Sequence, residues 1–273
     1  MPLRHRRSIT ALQPDQLAAF RQAIIAAQAI SDDRGYQYWA GVHGLPLPIY
    51  CQHHTPLFLP WHRAYLYFFE RALQDLVPGV TLPWWDWTAD HQGGLPAAYS
   101  EVEIDGHANP LYSSPIQPAA REPQGSDHTI RSPADPQMPP LPDPQAIQDL
   151  LGVQQFTDFQ QQVENIHDGI HMWVGGTMSD IATAAYDPLF WAHHTMIDRV
   201  WRLWQLAHPG AMPPSSLLHQ ALPPFPMTVS QTLDSDMLGY DYAVATAAEG
   251  KRLRDAGYSG VLAPSAALPG VLG

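Results

Sequence analysis

The stretch Tyr50–Leu66, YCQHHTPLFLPWHRAYL, sets His53, His54 and His62, the chain's single cysteine, Pro56 and Pro60, and a run of aromatic residues into one short segment. An ordinary core segment has no use for three histidines. Proline is tolerated in the first turn of a helix, so a helix is predicted from about Pro60 to about Leu76, stopping before Pro78-Gly79. It carries His62. A proline-containing loop ahead of it carries Cys51 and His53. A second histidine group, His167, His171, His193 and His194, lies far downstream. Our reading is that the fold turns the two groups toward each other.

Upstream of this stretch, Gly35 to Pro48 reads as a loop rich in glycine and aromatics, with His43 in it. Before that, Leu17, Phe20, Ile24 and Ile25 recur at helical spacing across Pro14 to Ile30, and Pro14 suits a first-turn position. Downstream, Thr81 to Thr88, TLPWWDWT, is short, aromatic and best read as buried packing. Ten prolines then fall between Glu101 and Leu150. No periodic pattern survives them, so Asp90 to Pro144 is expected to be a long irregular excursion rather than a domain. Its His91, His107 and His128 lack partners at ligand spacing and read as loop histidines. Gln145 to about Trp173 is helical in two pieces broken near Gly152. Asp187 and Pro188 form a good cap and first residue for a helix that runs to His208-Pro209-Gly210. The remainder is Pro-rich loop, the triplet Tyr240-Asp241-Tyr242, and a low-complexity tail. The fold class expected is mainly α: a four-helix core wrapped by long irregular loops.

Composition narrows the function. The 273 residues carry 14 Lys and Arg against 26 Asp and Glu, a net charge of -12 that disfavours nucleic acid and anionic membrane surfaces as partners. Histidine equals Lys and Arg combined at 14 residues, so it is the class to explain. One cysteine excludes an internal disulfide framework. No apolar run is long enough to span a bilayer. Arg6-Arg7 has no apolar segment behind it, so no signal peptide is read; the chain is expected to be cytoplasmic, or exported without a signal of its own.

His167 and His171 stand four apart on a predicted helix, which stacks both rings on one face. A third imidazole can come from His194. His193 points about 100° away around the same helix and is read as a supporting or core residue. Upstream, His43, His53 and His62 make a matching triple. Two imidazole triples with no cysteine pair and few carboxylates favour copper over zinc-thiolate or di-iron sites. HExxH is absent, because Asp168 follows His167, and this disfavours a zinc protease.

The segments CQHHTPLFLPWHRAYL and DPLFWAHHTMIDRVW resemble the two copper-binding signatures of the tyrosinase and catechol oxidase family, the type 3 copper proteins. VENIHDGIHMWVGG resembles the stretch that supplies the first two ligands of that family's second copper. The similarity runs from about Arg6 to Tyr242, which implies a catalytic domain over 1–242 and a short tail over 243–273 in place of the shielding domain of plant and fungal zymogens. It implies copper A on His43, His53 and His62, with His54 a bystander, and copper B on His167, His171 and His194. Arg6 and the Y-x-Y triplet resemble the marks at the two ends of the family domain, where a guanidinium stacks on tyrosine.

Further roles follow from the same resemblance. Cys51 by itself reads as a small buried residue; its C-x-H spacing to His53 is similar to fungal members in which sulfur is joined to that ligand's ring by a thioether. Glu164 corresponds to the carboxylate that holds a proton-accepting water. Asp168 is the departure, since strong phenol hydroxylases of the family often have Asn there. Asp at this place can help hold that water, bind a substrate amine, or mark an enzyme limited to diphenols. By the same resemblance Met172 sits near the substrate entrance and Ile181 falls where relatives place an apolar residue lining the mouth, with Phe190 packed beside it; each of the three reads equally well as a core residue. The activity implied is ortho-hydroxylation of monophenols and oxidation of o-diphenols to o-quinones, with dioxygen as oxidant. Two alternatives stay open: a catechol or o-aminophenol oxidase without hydroxylation, and a hemocyanin-like oxygen carrier, which would ordinarily have added domains to shield its site. Actinomycete relatives use a separate copper-delivery protein, and the resemblance makes such a protein a candidate partner here.

Overall fold

A computed structural model describes residues 3–89, 94–122, 125–244 and 251. Strand β1 (Arg4–Arg6) leads into α1 (Pro14–Gln28), α2 (Tyr36–His43) and α3 (Phe58–Leu76). A long excursion follows, bearing the single-turn α4 (Ala97–Ser100) and a two-residue hairpin of β2 (Glu103–Ile104) and β3 (His107–Ala108). Then come α5 (Pro144–Leu151), α6 (Phe156–Val174), α7 (Pro188–Ala207) and β4 (Tyr240–Tyr242). Of the three loop histidines, His107 and His128 are exposed, and His91 lies outside the described residues. Among those residues no helix is long and apolar enough to cross a membrane.

Two helix boundaries differ from the sequence reading. Helix α3 begins at Phe58, two residues before Pro60. Every first-turn amide lacks an intrahelical partner, so proline marks that turn without marking its first residue. The Thr55 carbonyl starts the turn by accepting from Phe58 N at 3.2 Å. The second difference is α2. Its eight residues form a helix between Gly35 and Gly44, and His43 is its last residue rather than part of a loop. So short a helix shows no usable periodicity and is held by packing: Tyr36, Ala40, Val42 and His43 are all buried. Helix α7 is capped by the Asp187 carboxylate, which accepts from Leu189 N at 2.8 Å and is gripped by Arg131 at 2.8 and 3.0 Å.

Four of these helices, α2, α3, α6 and α7, meet at the histidines. The segment around Trp84, Trp85 and Trp87 is buried against them, with Trp85 N donating to the Ala192 carbonyl of α7 at 3.0 Å. Behind the histidines, the ends of the domain are tied by parallel pairing of β1 with β4, Arg4 opposite Tyr240 and Arg6 opposite Tyr242. The Arg6 guanidinium sits 3.7 Å above the Tyr240 ring. It also donates to Glu70 at 2.9 Å and Asp198 at 3.2 Å. Asp198 further accepts from Arg63 at 2.5 Å and from the Tyr240 hydroxyl at 2.7 Å. Burial pushes the Asp198 carboxyl up, but the charges of Arg63 and Arg6 outweigh it and hold the group below the ordinary carboxylate range. Arg63 follows His62 and Asp198 lies one turn beyond His194, so this buried cluster fixes α3 against α7 directly behind the site.

Candidate metal centre

Each histidine of the first group is delivered by a different local device. His43 ends α2, His53 sits in the extended segment after Cys51, and His62 faces inward from the start of α3. Their ring centroids lie 5.1 to 5.7 Å apart. On the other side, His167 and His171 share one face of α6 with ring centroids 4.4 Å apart. His194 completes the set from α7, its Nε2 3.2 Å from His167 Nε2 and 3.3 Å from His171 Nε2. The triples face each other: the His62 and His194 rings stack at 4.6 Å, and those of His53 and His167 at 5.6 Å.

Three rings are locked through Nδ1. His62 Nδ1 donates to the Phe58 carbonyl at 2.8 Å, His171 Nδ1 to the Met178 carbonyl at 2.7 Å, and His167 Nδ1 to Asp168 Oδ1 at 3.0 Å. Each bond leaves Nε2 as the unprotonated nitrogen. Burial is the main cause that keeps the imidazoles neutral. It lowers His53 and His171 to about 4, and His43, His62, His167 and His194 well below the usual range.

The residues fit a pair of metal ions. Both ring nitrogens of His43, His53 Nδ1, His62 Nε2 and His194 Nδ1 are buried without a protein partner. The donor atoms of His43, His53 and His62 lie within 4.8 Å of one another, and so do those of His167, His171, His193 and His194. A cation about 2 Å from each of three nitrogens at tetrahedral angles would hold those nitrogens about 3.3 Å apart, close to the separations in the second triple. Neutral imidazoles without thiolate or bridging carboxylate suit copper. His193 belongs to the second group by distance; its ring is fully buried and stacks on His167 at 5.1 Å.

A cleft of about 360 Å³ reaches both groups, touching His43, His53, His167 and His171. Its rim includes Met172 and Ile181, 44% and 45% exposed, and Asp168. Phe190 is not at this rim. It is fully buried and packs 4.1 Å from the His194 ring and 4.8 Å from the His43 ring, a wall between the two triples. Glu164 is placed in a neighbouring recess of about 270 Å³ on the far side of His54. Burial pushes its carboxyl up to about 7 although the His54 amide pulls it down. Cys51 is a half-buried free thiol, its pKa raised to about 12 by burial.

Some contributors escaped the sequence reading. Phe58 fills the gap between the triples, 4.7 Å from the His62 ring and 4.9 Å from the His167 ring. Gly44 lets the end of α2 approach the chain near Ala182, where a Cβ would lie 2.2 Å from the Ala182 carbonyl oxygen. Only the glycine directly after a ligand histidine hinted at this.

A helical core that turns two sets of neutral imidazoles toward each other defines a paired-metal protein with histidine-only ligation. Residues 33–207 match the family described as the common central domain of tyrosinase. The chain is 33% identical to a tyrosinase of Streptomyces glaucescens, covering 58% of this chain and 66% of that one. It is also 33% identical to hemocyanin units G and H of Sepia officinalis, covering 73% of this chain and 37% of the relative. A functional unit of octopus hemocyanin superposes with a TM-score of 0.76 at 28% identity, covering 92% of this chain and 72% of the other. The chain belongs to the tyrosinase family of type 3 copper proteins.

Proposed function

We propose that the chain is a copper-dependent phenol oxidase of the tyrosinase type, which hydroxylates monophenols ortho to the hydroxyl and oxidises o-diphenols to o-quinones. The observation that carries this reading is the cleft: it runs from exposed Met172 and Ile181 to histidines of both triples, so a phenol ring can reach either ion. Two coppers would be held there, one by His43, His53 and His62 and one by His167, His171 and His194, and would supply dioxygen activation when bound. The chain supplies the rest. Hydrogen bonds at Nδ1 aim three of the lone pairs, burial keeps the rings neutral, and the apolar rim formed by Met172 and Ile181 accepts an aromatic ring. A phenol must lose its hydroxyl proton to be oxidised, and Asp168 is the carboxylate lining the cleft. A Cys51–His53 thioether belongs to the same proposal. It forms with loss of one hydrogen from the thiol and one from the ring carbon, dioxygen being the two-electron oxidant, and it lowers the intact mass by two hydrogens.

Oxygen uptake by copper-loaded protein tests the reading on matched panels of monophenols, o-diphenols and o-aminophenols. Uptake with monophenol and diphenol is expected. Uptake with diphenols or aminophenols alone assigns the chain to the oxidases without hydroxylation. A stable oxygenated form that consumes neither assigns it to the carriers, a reading that the hemocyanin relatives keep in view.

A further inference from the structure

Gln160, Glu164 and Asp168 stand one turn apart on α6 and form a polar stripe beside the face that carries His167 and His171. All three engage the loop that precedes α3. Gln160 Oε1 accepts from Leu59 N at 3.4 Å, and its Nε2 donates to the Thr55 carbonyl at 3.0 Å. Glu164 Oε1 accepts from His54 N at 2.5 Å. Asp168 receives His167 Nδ1 on one oxygen and lies 3.7 Å from His54 Nε2 with the other. His54 has φ +52°, the left-handed region that residues with a side chain adopt rarely and keep where their surroundings hold them. The peptide so held is the one that joins His54 to His53.

We propose that Glu164 is a positioning residue: its carboxylate fixes the His54 amide and thereby holds His53 in place for the first copper, while Gln160 fastens the other end of the same loop. This rests on the copper reading above. It gives Glu164 a task other than holding a proton-accepting water, because its carboxylate lies in the recess beyond His54 and does not line the cleft. It also makes α6, which brings two ligands of the second triple, the support of the first triple's loop ligand.

The test separates the sites. A His194→Ala chain keeps the first triple whole and removes a ligand from the second; a His62→Ala chain does the reverse. Copper retention is read by titrating each copper-loaded chain with bicinchoninate, a copper(I) chelator. Glu164→Leu is expected to weaken retention about 10- to 100-fold in the His194→Ala chain and to leave the His62→Ala chain unchanged. Glu164→Gln, which keeps an acceptor oxygen for His54 N, restores retention. Gln160→Leu weakens the same site with Glu164 intact, so the inference stays testable if Glu164→Leu does not fold. Equal weakening at both sites, no weakening at either, or failure of Gln to rescue overturns the inference while the copper reading stands. A parent chain that holds no copper pair overturns both.

Discussion

The His62 and His194 rings, one from each triple, lie stacked with centroids 4.6 Å apart and planes 19° from parallel. They come from α3 and α7, the two helices that the Arg6, Arg63, Glu70 and Asp198 cluster locks together one turn away. The spacing of these two ligands is therefore set by the packing of α3 against α7.

Removing that lock is expected to cost more than a surface pair would. Asp198→Ala leaves Arg6 and Arg63 buried with one carboxylate fewer, and should lower unfolding stability by about 3–5 kcal/mol in a urea titration. Disrupting the exposed Arg34–Asp32 pair should leave the transition where it is.

The copper-free protein should weaken on acidification. His53 and His171 titrate at about 4 when folded, the other buried histidines of the site are likewise held well below the usual range by burial, and all titrate near about 6.5 when unfolded. The unfolded chain therefore binds more protons through that window. Stability is full above about pH 6.5 and falls toward pH 4, with a slope of up to about 1.4 kcal/mol per pH unit for each histidine involved. Melting curves across this range check it. Copper loading should oppose the loss until protons displace the metal.

Gly44→Ala tests the close approach of α2 to the chain at Ala182. A Cβ there meets backbone that cannot step aside cheaply, so the variant should melt lower and bind its first copper more weakly. Its backbone φ of -128° lies outside the left-handed region, and the close contact with the Ala182 carbonyl is what the variant probes.

Phe190→Ala removes a buried ring from between His43 and His194. It should cost about 3–5 kcal/mol. Ile181→Trp at the rim should instead leave copper content and melting unchanged and raise KM for bulky phenols.

Much of this centre was legible beforehand because histidine is a poor core residue. Six imidazoles at helical or motif spacing, set among apolar and aromatic neighbours, call for a metal to use their lone pairs. The cap at Asp187 and the break near Gly152 follow from local chemistry that a single chain displays, whereas the stacking of Arg6 on Tyr240 joins distant residues and was legible only through the family resemblance. The helical state of Tyr36–His43 did not follow from such chemistry, because packing rather than periodicity holds it. Nor did the place of Phe190. Its spacing from His194 puts it on the same helix face, but only the tertiary structure shows that this face at Phe190 lies behind the triples and not at the cleft mouth. Glu164 was picked out through the family resemblance of its VENIH segment, yet its hydrogen bond to His54 N depends on a loop distant in sequence.

The central claim is most directly tested by copper analysis of the loaded, desalted protein beside its His62→Ala and His194→Ala variants. The dicopper reading predicts about two coppers per chain in the parent and about one in each variant. A parent that holds one or none, or variants that both still hold two, would contradict it.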